Sequence, residues 1–323
     1  MKKLIALVLS LVCVFAFAGC SEGGKETGSK LKIGIIQYMS HPSLDNCYQG
    51  VKEALDASGL DYESNLQVGS SASADADCAT FAKNMVAENY DMIIAIATPA
   101  AKSAFAATAD TKIPVIFCAV NDPVAAKLVN SIEKPGDLCT GTSDVLDLTA
   151  QVELIQSMQP DVRSIGILYT SSEDNSVSNL ARFKEICKEK NIEVVASAIQ
   201  NSAEIPSAAE NLASKVDCIN NFTDNNVVNS LSVVLAAADK NGIPVYGSEE
   251  EQVKNGCLAS VSIDYIALGK TTGNMAVEVL KGQDASTMAV KTIKEATPII
   301  NKAVAEKLKI TIPAAYQNAQ LIG

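Results

Sequence analysis

Short apolar runs alternate along the chain with longer stretches in which apolar side chains recur every three or four residues, so strands and helices are predicted in turn. Ile33-Gly34-Ile35-Ile36 is bounded by polar residues and suits a strand buried on both faces of a parallel sheet. Leu44, Cys47, Tyr48, Val51, Ala54 and Leu55 then mark a helix over about 43–58. A strand over Tyr62–Val68, a helix near 75–88 and an apolar strand over Met92–Ala97 follow. Pro99 opens another helix, and Ile113-Pro114-Val115 begins a fourth strand.

The same order then recurs. Ile165-Gly166-Ile167-Leu168 repeats the first strand, and Leu180, Phe183, Ile186 and Cys187 mark its helix. Glu193–Ile199 is the next strand, and Asp217-Cys218-Ile219 parallels Asp91-Met92-Ile93. A helical stripe runs through Val228, Leu231, Val234, Leu235 and Ala238 before Ile243-Pro244-Val245 echoes Ile113-Pro114-Val115. The pattern predicts an α/β protein of two doubly wound, Rossmann-like lobes with a hinge and an interlobe cleft. A strand over Cys257–Asp264, a helix over about 266–281, a run at Val290–Ile293 and a last helix from Asn301 leave a tail long enough to recross between lobes. The expected division is 31–143 with 264–284 for one lobe, and 144–263 with 285–323 for the other.

The N-terminus follows a different pattern. Lys2 and Lys3 precede an apolar run from Leu4 to Phe17, which is shorter than the roughly 20 residues that span a bilayer. Residues 1–19 are expected to be a cleaved secretory signal. Phe17-Ala18-Gly19-Cys20 resembles a bacterial lipobox, which implies that Cys20 becomes a lipidated N-terminus. Residues 20–30 form a polar, Gly/Ser-rich tether. The expected location is extracytoplasmic, with lipid as the only link to the membrane.

The 323 residues carry a formal charge of −11, and removal of Lys2 and Lys3 makes the remainder more acidic. An acidic surface argues against nucleic acid and anionic lipid as partners. Seven cysteines follow Cys20, scattered and without a C-x-x-C pair, so they read as small core residues rather than a disulfide framework or zinc site. No metal or other cofactor is expected. G-x-S-x-G, the P-loop and G-x-G-x-x-G are all missing. A secreted hydrolase or lyase using His41, the single histidine, or Glu249 would need a nucleophile converging on it.

Ligands of open α/β sheets sit at the carboxyl ends of the strands. Those ends supply Gln37-Tyr38-Met39-Ser40-His41-Pro42, with Leu44 just beyond, then Thr98-Pro99-Ala100, then Asn121-Asp122-Pro123, in the first half. In the second they supply Ser171-Ser172-Glu173-Asp174-Asn175-Ser176, then Thr223-Asp224-Asn225-Asn226, then Gly247-Ser248-Glu249-Glu250; of these Ser171, Ser172, Asn175, Ser176, Asp224, Asn225 and Glu249 are the candidate contacts. Such residues also cap helices. As a set they suit a zwitterion. The Ser171–Ser176 turn is expected to hold a carboxylate on free backbone N–H groups, with Glu173 and Asp174 turned to solvent. Asp224, with Glu249 or Asp264, is expected to hold an ammonium group. Tyr38, Leu44 and Pro99 would line the apolar part.

Several segments resemble one family. They are His41-Pro42-Ser43-Leu44-Asp45, Ala95-Ile96-Ala97-Thr98-Pro99-Ala100-Ala101, Ala119-Val120-Asn121-Asp122-Pro123-Val124, Gly141-Thr142-Ser143-Asp144, Leu168–Ser176, Thr223-Asp224-Asn225 and Ile263-Asp264-Tyr265. The chain is similar to ABC-transporter substrate-binding lipoproteins of the tryptophan/tyrosine-binding type, in the type I periplasmic-binding-protein-like superfamily. The resemblance implies a monomer that catalyses nothing. It would capture a small ligand, aromatic amino acids above all, and hand it to an ABC permease and ATPase complex. A ligand-sensing module for a membrane receptor, or a binder of another polar metabolite such as a nucleoside, would use the same fold.

Overall fold

The computed structural model describes residues 30–293 and 297–323. The predicted signal, Cys20 and nearly all of the tether lie outside the described residues.

The first half winds β1 (Leu31–Gln37), α1 (Pro42–Asp56), β2 (Tyr62–Val68), α2 (Ala74–Ala87), β3 (Met92–Ile96), α3 (Thr98–Thr108), β4 (Val115–Cys118) and β5 (Cys139–Ser143). The second winds α4 (Leu148–Met158), β6 (Ser164–Thr170), α5 (Asp174–Glu189), β7 (Glu193–Ile199), α6 (Ile205–Ala213), β8 (Cys218–Asn220), α7 (Asn225–Asn229), α8 (Leu231–Asn241), β9 (Val245–Tyr246), α9 (Glu250–Lys254) and β10 (Ala259–Ser262). The remainder is α10 (Tyr265–Leu280), β11 (Lys291–Thr292), β12 (Thr297–Asn301), α11 (Lys302–Leu308) and β13 (Gln320–Ile322).

Three sheets result, ordered β11-β5-β4-β3-β1-β2, β7-β6-β8-β9 and β10-β12-β13. The first two are parallel throughout, as expected of strands buried on both faces. Leu258 N donates to Val245 O and Gly247 N to Ala259 O, so β10 continues the second sheet beyond β9. The apolar cores follow the same division. One gathers side chains of β1, β3, β4, α1 and α10. Two adjoining ones gather those of β6, α4 and α5, and of α6, α8 and β9. The molecule is therefore an α/β fold of two lobes.

α10 returns to the first lobe along α1, on a seam of glycines. A Cβ on Gly269 would stand 2.1 Å from the Cys47 carbonyl oxygen, and one on Gly50 2.1 Å from that of Ile266. The seam fixes the N-terminus of α1, where Pro42 takes the first turn and His41 the extended cap position.

One expected boundary differs. Residues 285–293 were assigned to the second lobe, but β11 pairs with β5, and Met288 and Val290 are buried in the first core. Thr140 Oγ1 donates to Met288 O at 2.6 Å. The recrossing falls between Thr292 and Thr297. β11 lies within the run at Val290–Ile293, but its partner β5 carries no apolar pattern, so the sequence alone does not reveal which lobe the run joins. The chain thus passes between lobes three times, after Ser143, Ser262 and Thr292.

Candidate ligand-binding cleft

The carboxyl ends of β1, β3, β4 and β5 face those of β6, β8 and β9 across a cleft. A narrow inner cavity there is lined by His41, Ser43, Leu44, Ala97, Thr98, Ala119, Asn121, Asp144, Tyr265 and Glu249, and by Asn175, Thr223, Asn225 and Val228 from α5 and around α7. Its volume is about 20 Å³, room for little more than one water molecule. His41, Ser43, Val228 and Glu249 also wall a wider mouth of about 370 Å³, with Ser40, Asp45, Asn229, Ser232 and Asn255 on its rim. No Lys or Arg lines either space.

Two lining residues, Ala97 (φ 81°) and Ala119 (φ 56°), hold left-handed backbone where β3 and β4 end. Such strain collects at sites where the chain is over-determined by its surroundings.

Four buried atoms of the inner wall have no hydrogen-bond partner: His41 Nδ1, Ser43 Oγ, Asp144 Oδ1 and Asn175 Oδ1. Their neighbours are well held. Asp144 Oδ2 accepts from the Tyr265 hydroxyl at 2.7 Å, and Asn121 Nδ2 donates to the Asp144 carbonyl at 2.9 Å. Burial outweighs these bonds and pushes the Asp144 carboxyl up to about 6. Glu249 caps α9, accepting from Gln252 N and Glu251 N at 2.7 Å each, yet burial pushes it up to about 7. Burial lowers His41 to about 4, so its ring is neutral at physiological pH.

Contacts cross the cleft on both flanks. His41 Nε2 lies 3.3 Å from Asn225 Oδ1. Asn121 Oδ1 accepts from Asn179 Nδ2 and from Thr223 Oγ1, each at 3.0 Å. Ser178 Oγ donates to Asp122 Oδ2 at 2.8 Å, and Lys102 pairs with Asp174.

Of the residues expected at the site, His41, Leu44, Thr98, Asn175, Asn225 and Glu249 line the inner cavity. The others lie elsewhere. Asp224, expected to meet an ammonium group, is fully buried and already accepts four bonds. These come from Thr170 N (2.6 Å), Thr170 Oγ1 (2.9 Å), Ser176 Oγ (2.7 Å) and Val227 N (3.1 Å). Ser176 is thereby turned to Asp224 rather than to the cleft. Ser171 and Ser172 are exposed, with the Ser171 hydroxyl donating to Ile199 O. Asp264 is exposed and caps α10 through Ile266 N and Ala267 N. Tyr38 and Ala100 belong to the first core, and Pro99 is half-buried outside the cavity.

Glu173 also corrects an expectation. It does not face solvent: it is 1% exposed and accepts from Asn225 N, Asn225 Nδ2 (2.6 Å), Asn226 N and Asn175 Nδ2. Burial, and then the nearby Asp224 carboxylate, raise its pKa well above the usual range. Asn121 and Thr223, which fall in strand-end turns but have no ligand contact assigned to them from the sequence, also line the cavity, as do Ser43, Asp144 and Tyr265, which the strand-end pattern does not mark; all five fall within the segments that carry the family resemblance.

Comparison with known proteins fits this arrangement. A family model described as ABC transporter substrate binding protein matches residues 32–319. A tyrosine-binding protein of Clostridioides difficile is 38% identical over 93% of this chain and 90% of its own length. The structure superposes with a TM-score of 0.86 on an ABC domain from Streptococcus pneumonia in complex with L-Trp, 38% identical, covering 91% of this chain and all of that one. Against a ligand-free, open substrate-binding protein with adhesive properties from Clostridium difficile, 34% identical over 90% of this chain and 99% of the other, the TM-score is 0.67. The two-lobed fold, the cleft between the lobes and these relatives converge: the chain belongs to the family of ABC transporter substrate-binding proteins.

Proposed function

We propose that the protein captures an aromatic amino acid by closing its lobes around it outside the cytoplasmic membrane, and hands it to an ABC permease and ATPase complex. The observation that carries this reading is the set of four unpartnered buried polar atoms converging on one interlobe cavity, His41 Nδ1, Ser43 Oγ, Asp144 Oδ1 and Asn175 Oδ1. A buried polar group without a partner costs roughly 1–3 kcal/mol, so a wall carrying four is built for something that completes them. The tyrosine- and tryptophan-binding relatives support the ligand class. The closer superposition on the L-Trp complex than on the open form supports reading this arrangement of lobes as the closed one.

The family is one of solute-binding proteins rather than enzymes, and its members are extracytoplasmic. Among the described residues no helix is long and apolar enough to cross a membrane. We assign attachment to a lipid on Cys20, with the monomeric body held off the surface by the tether. The lobes are assigned as 31–143 with 264–293, and 144–263 with 297–323, hinged at the three passages.

Calorimetry with tyrosine, tryptophan, phenylalanine, a nucleoside and an inositol tests the ligand. Tight binding confined to the aromatic amino acids is expected; a nucleoside or inositol bound more tightly would overturn the assignment. Cys20→Ala should move the protein from the membrane fraction to the soluble one, and unchanged retention would refute the anchor.

A further inference from the structure

Three of the four unpartnered atoms of the inner cavity share one chemical sense; the fourth, the Ser43 hydroxyl, can donate or accept. The Asn175 amide is oriented by its neighbours: Nδ2 donates to Glu173 Oε2 and to Thr223 O, both at 3.2 Å, which leaves Oδ1 as a buried, unpartnered acceptor on a residue that lines the cavity. Asp144 Oδ1 is a carboxyl oxygen whose twin is held by Tyr265. His41 takes its sense from a relay. Glu173 accepts from the Asn225 backbone N–H and from Asn225 Nδ2, so the Asn225 amide must point its Oδ1 away from Glu173 and toward His41. An acceptor there requires His41 Nε2 to carry the proton, so Nδ1 presents a bare lone pair.

The cavity therefore offers three acceptors, from two lobes, in a space of about 20 Å³ and with no cation beside it. A primary ammonium group has three N–H donors, one positive charge and the size of a water molecule. We propose that this inner cavity is an ammonium subsite formed by His41 Nδ1, Asp144 Oδ1 and Asn175 Oδ1, with Glu173 acting through Asn225 as the positioning residue that fixes the His41 tautomer. The rest of the ligand extends toward the wider mouth between His41 and Glu249. The protein then selects for an unsubstituted amine, and rejects amine-free and N-acylated analogues of the same shape.

This inference rests on the cleft being the ligand site, and its test separates the two. Calorimetry on the full chain compares tyrosine and tryptophan with their N-acetyl derivatives, with the corresponding amine-free arylpropionates, and with tyramine and tryptamine. Loss of at least thirtyfold in affinity on removing or acetylating the amine is expected; analogues within about threefold of the parent ligand would overturn the subsite. If aromatic amino acids fail but other primary amines bind, the subsite stands and the aromatic assignment falls. If no primary amine binds, both fall. Asp144→Asn should weaken binding of the amine-bearing ligands by at least thirtyfold without strengthening the amine-free ones, and equal affinity in that variant would also overturn the assignment.

His41 is the only histidine in the chain, so imidazole nitrogen NMR on untagged protein reports it alone. The relay requires the Nε2–H tautomer, with a non-protonated Nδ1 that shifts on addition of ligand. An Nδ1–H ring, an imidazolium, or an Nδ1 resonance indifferent to ligand would overturn the positioning role.

Discussion

Asn179 Nδ2, on the second lobe, donates to Asn121 Oδ1, on the first, at 3.0 Å, while Asn121 Nδ2 holds the carbonyl of Asp144. One side chain thus bonds the opposite lobe and steadies a residue of the cavity wall, so closure and ligand contact share a member. Replacing Asn179 by alanine removes the bond across the cleft. A net loss of about 1 kcal/mol, or several-fold in affinity, is expected. Small-angle scattering should show an incomplete decrease in radius of gyration on ligand addition. Unchanged affinity together with full compaction would mean that the bond does not help hold the closed form.

The buried carboxyls give stability a definite pH dependence. Glu249, raised on folding from 4.5 to about 7, stabilises the fold fully below 4.5 and loses that contribution as pH rises through 7. His41, lowered from 6.5 to about 4, acts in the opposite sense: its contribution is complete above 6.5 and is lost as pH falls through 4. Comparing ligand-free parent with Glu249→Gln removes the histidine from the difference. The parent's stability relative to the variant should fall by about 3 kcal/mol between pH 4.5 and 7. A flat difference in denaturant midpoints across that range would show a solvated carboxyl.

The glycine seam makes a sharper claim about packing. In Gly269→Ala the new methyl carbon meets the Cys47 carbonyl oxygen at 2.1 Å, backbone that cannot step aside without moving α1. Overpacking of this kind costs about 1–3 kcal/mol. Thermal melting should show the loss, and because α1 carries His41, Ser43 and Leu44 at its start, ligand affinity should fall with it. A stable, fully binding variant would show that α1 and α10 separate more easily than their contact suggests.

Ala97 offers the reverse experiment. Its φ of 81° is strained for any residue with a Cβ, and glycine adopts it freely. Ala97→Gly should leave the fold intact and raise stability modestly, by about 1 kcal/mol less whatever glycine adds to unfolded-chain entropy. A marked loss of stability would mean that the Ala97 methyl group supplies packing worth more than the strain.

Most of the fold was legible because parallel strands and amphipathic helices write their periods plainly: even the half-exposed edge strands Tyr62–Val68 and Glu193–Ile199 were read with their observed ends. The fifth strand was not. Cys139-Thr140-Gly141-Thr142-Ser143 is polar and carries no apolar run, yet it is wholly buried between β4 and β11 because Thr140 and Thr142 find internal partners in Met288 and Thr272. Missing that strand hid the residue at its end, Asp144, from a search of strand ends. Asp224 drew attention for its charge, and nothing in its own neighbourhood reveals that Thr170 and Ser176, some fifty positions upstream, supply three of its four bonds. Glu173 was expected outside because an acid in a polar turn is usually solvated; apart from Asn175, its partners Asn225 and Asn226 lie some fifty positions downstream.

The three passages between lobes also constrain how the molecule can move. Val145, Leu146 and Asp147 from the first, Val261 and Ile263 from the second, and Thr292 and Ile293 from the third wall one shared hollow at the hinge. Neighbouring tethers of this kind resist both sliding and twisting, and leave rotation about a single axis as the soft coordinate. Opening then has one barrier rather than a family of them. A dye pair spanning the cleft should record two distance states with single-exponential dwell times, and the residence of a captured molecule is timed by that one rotation.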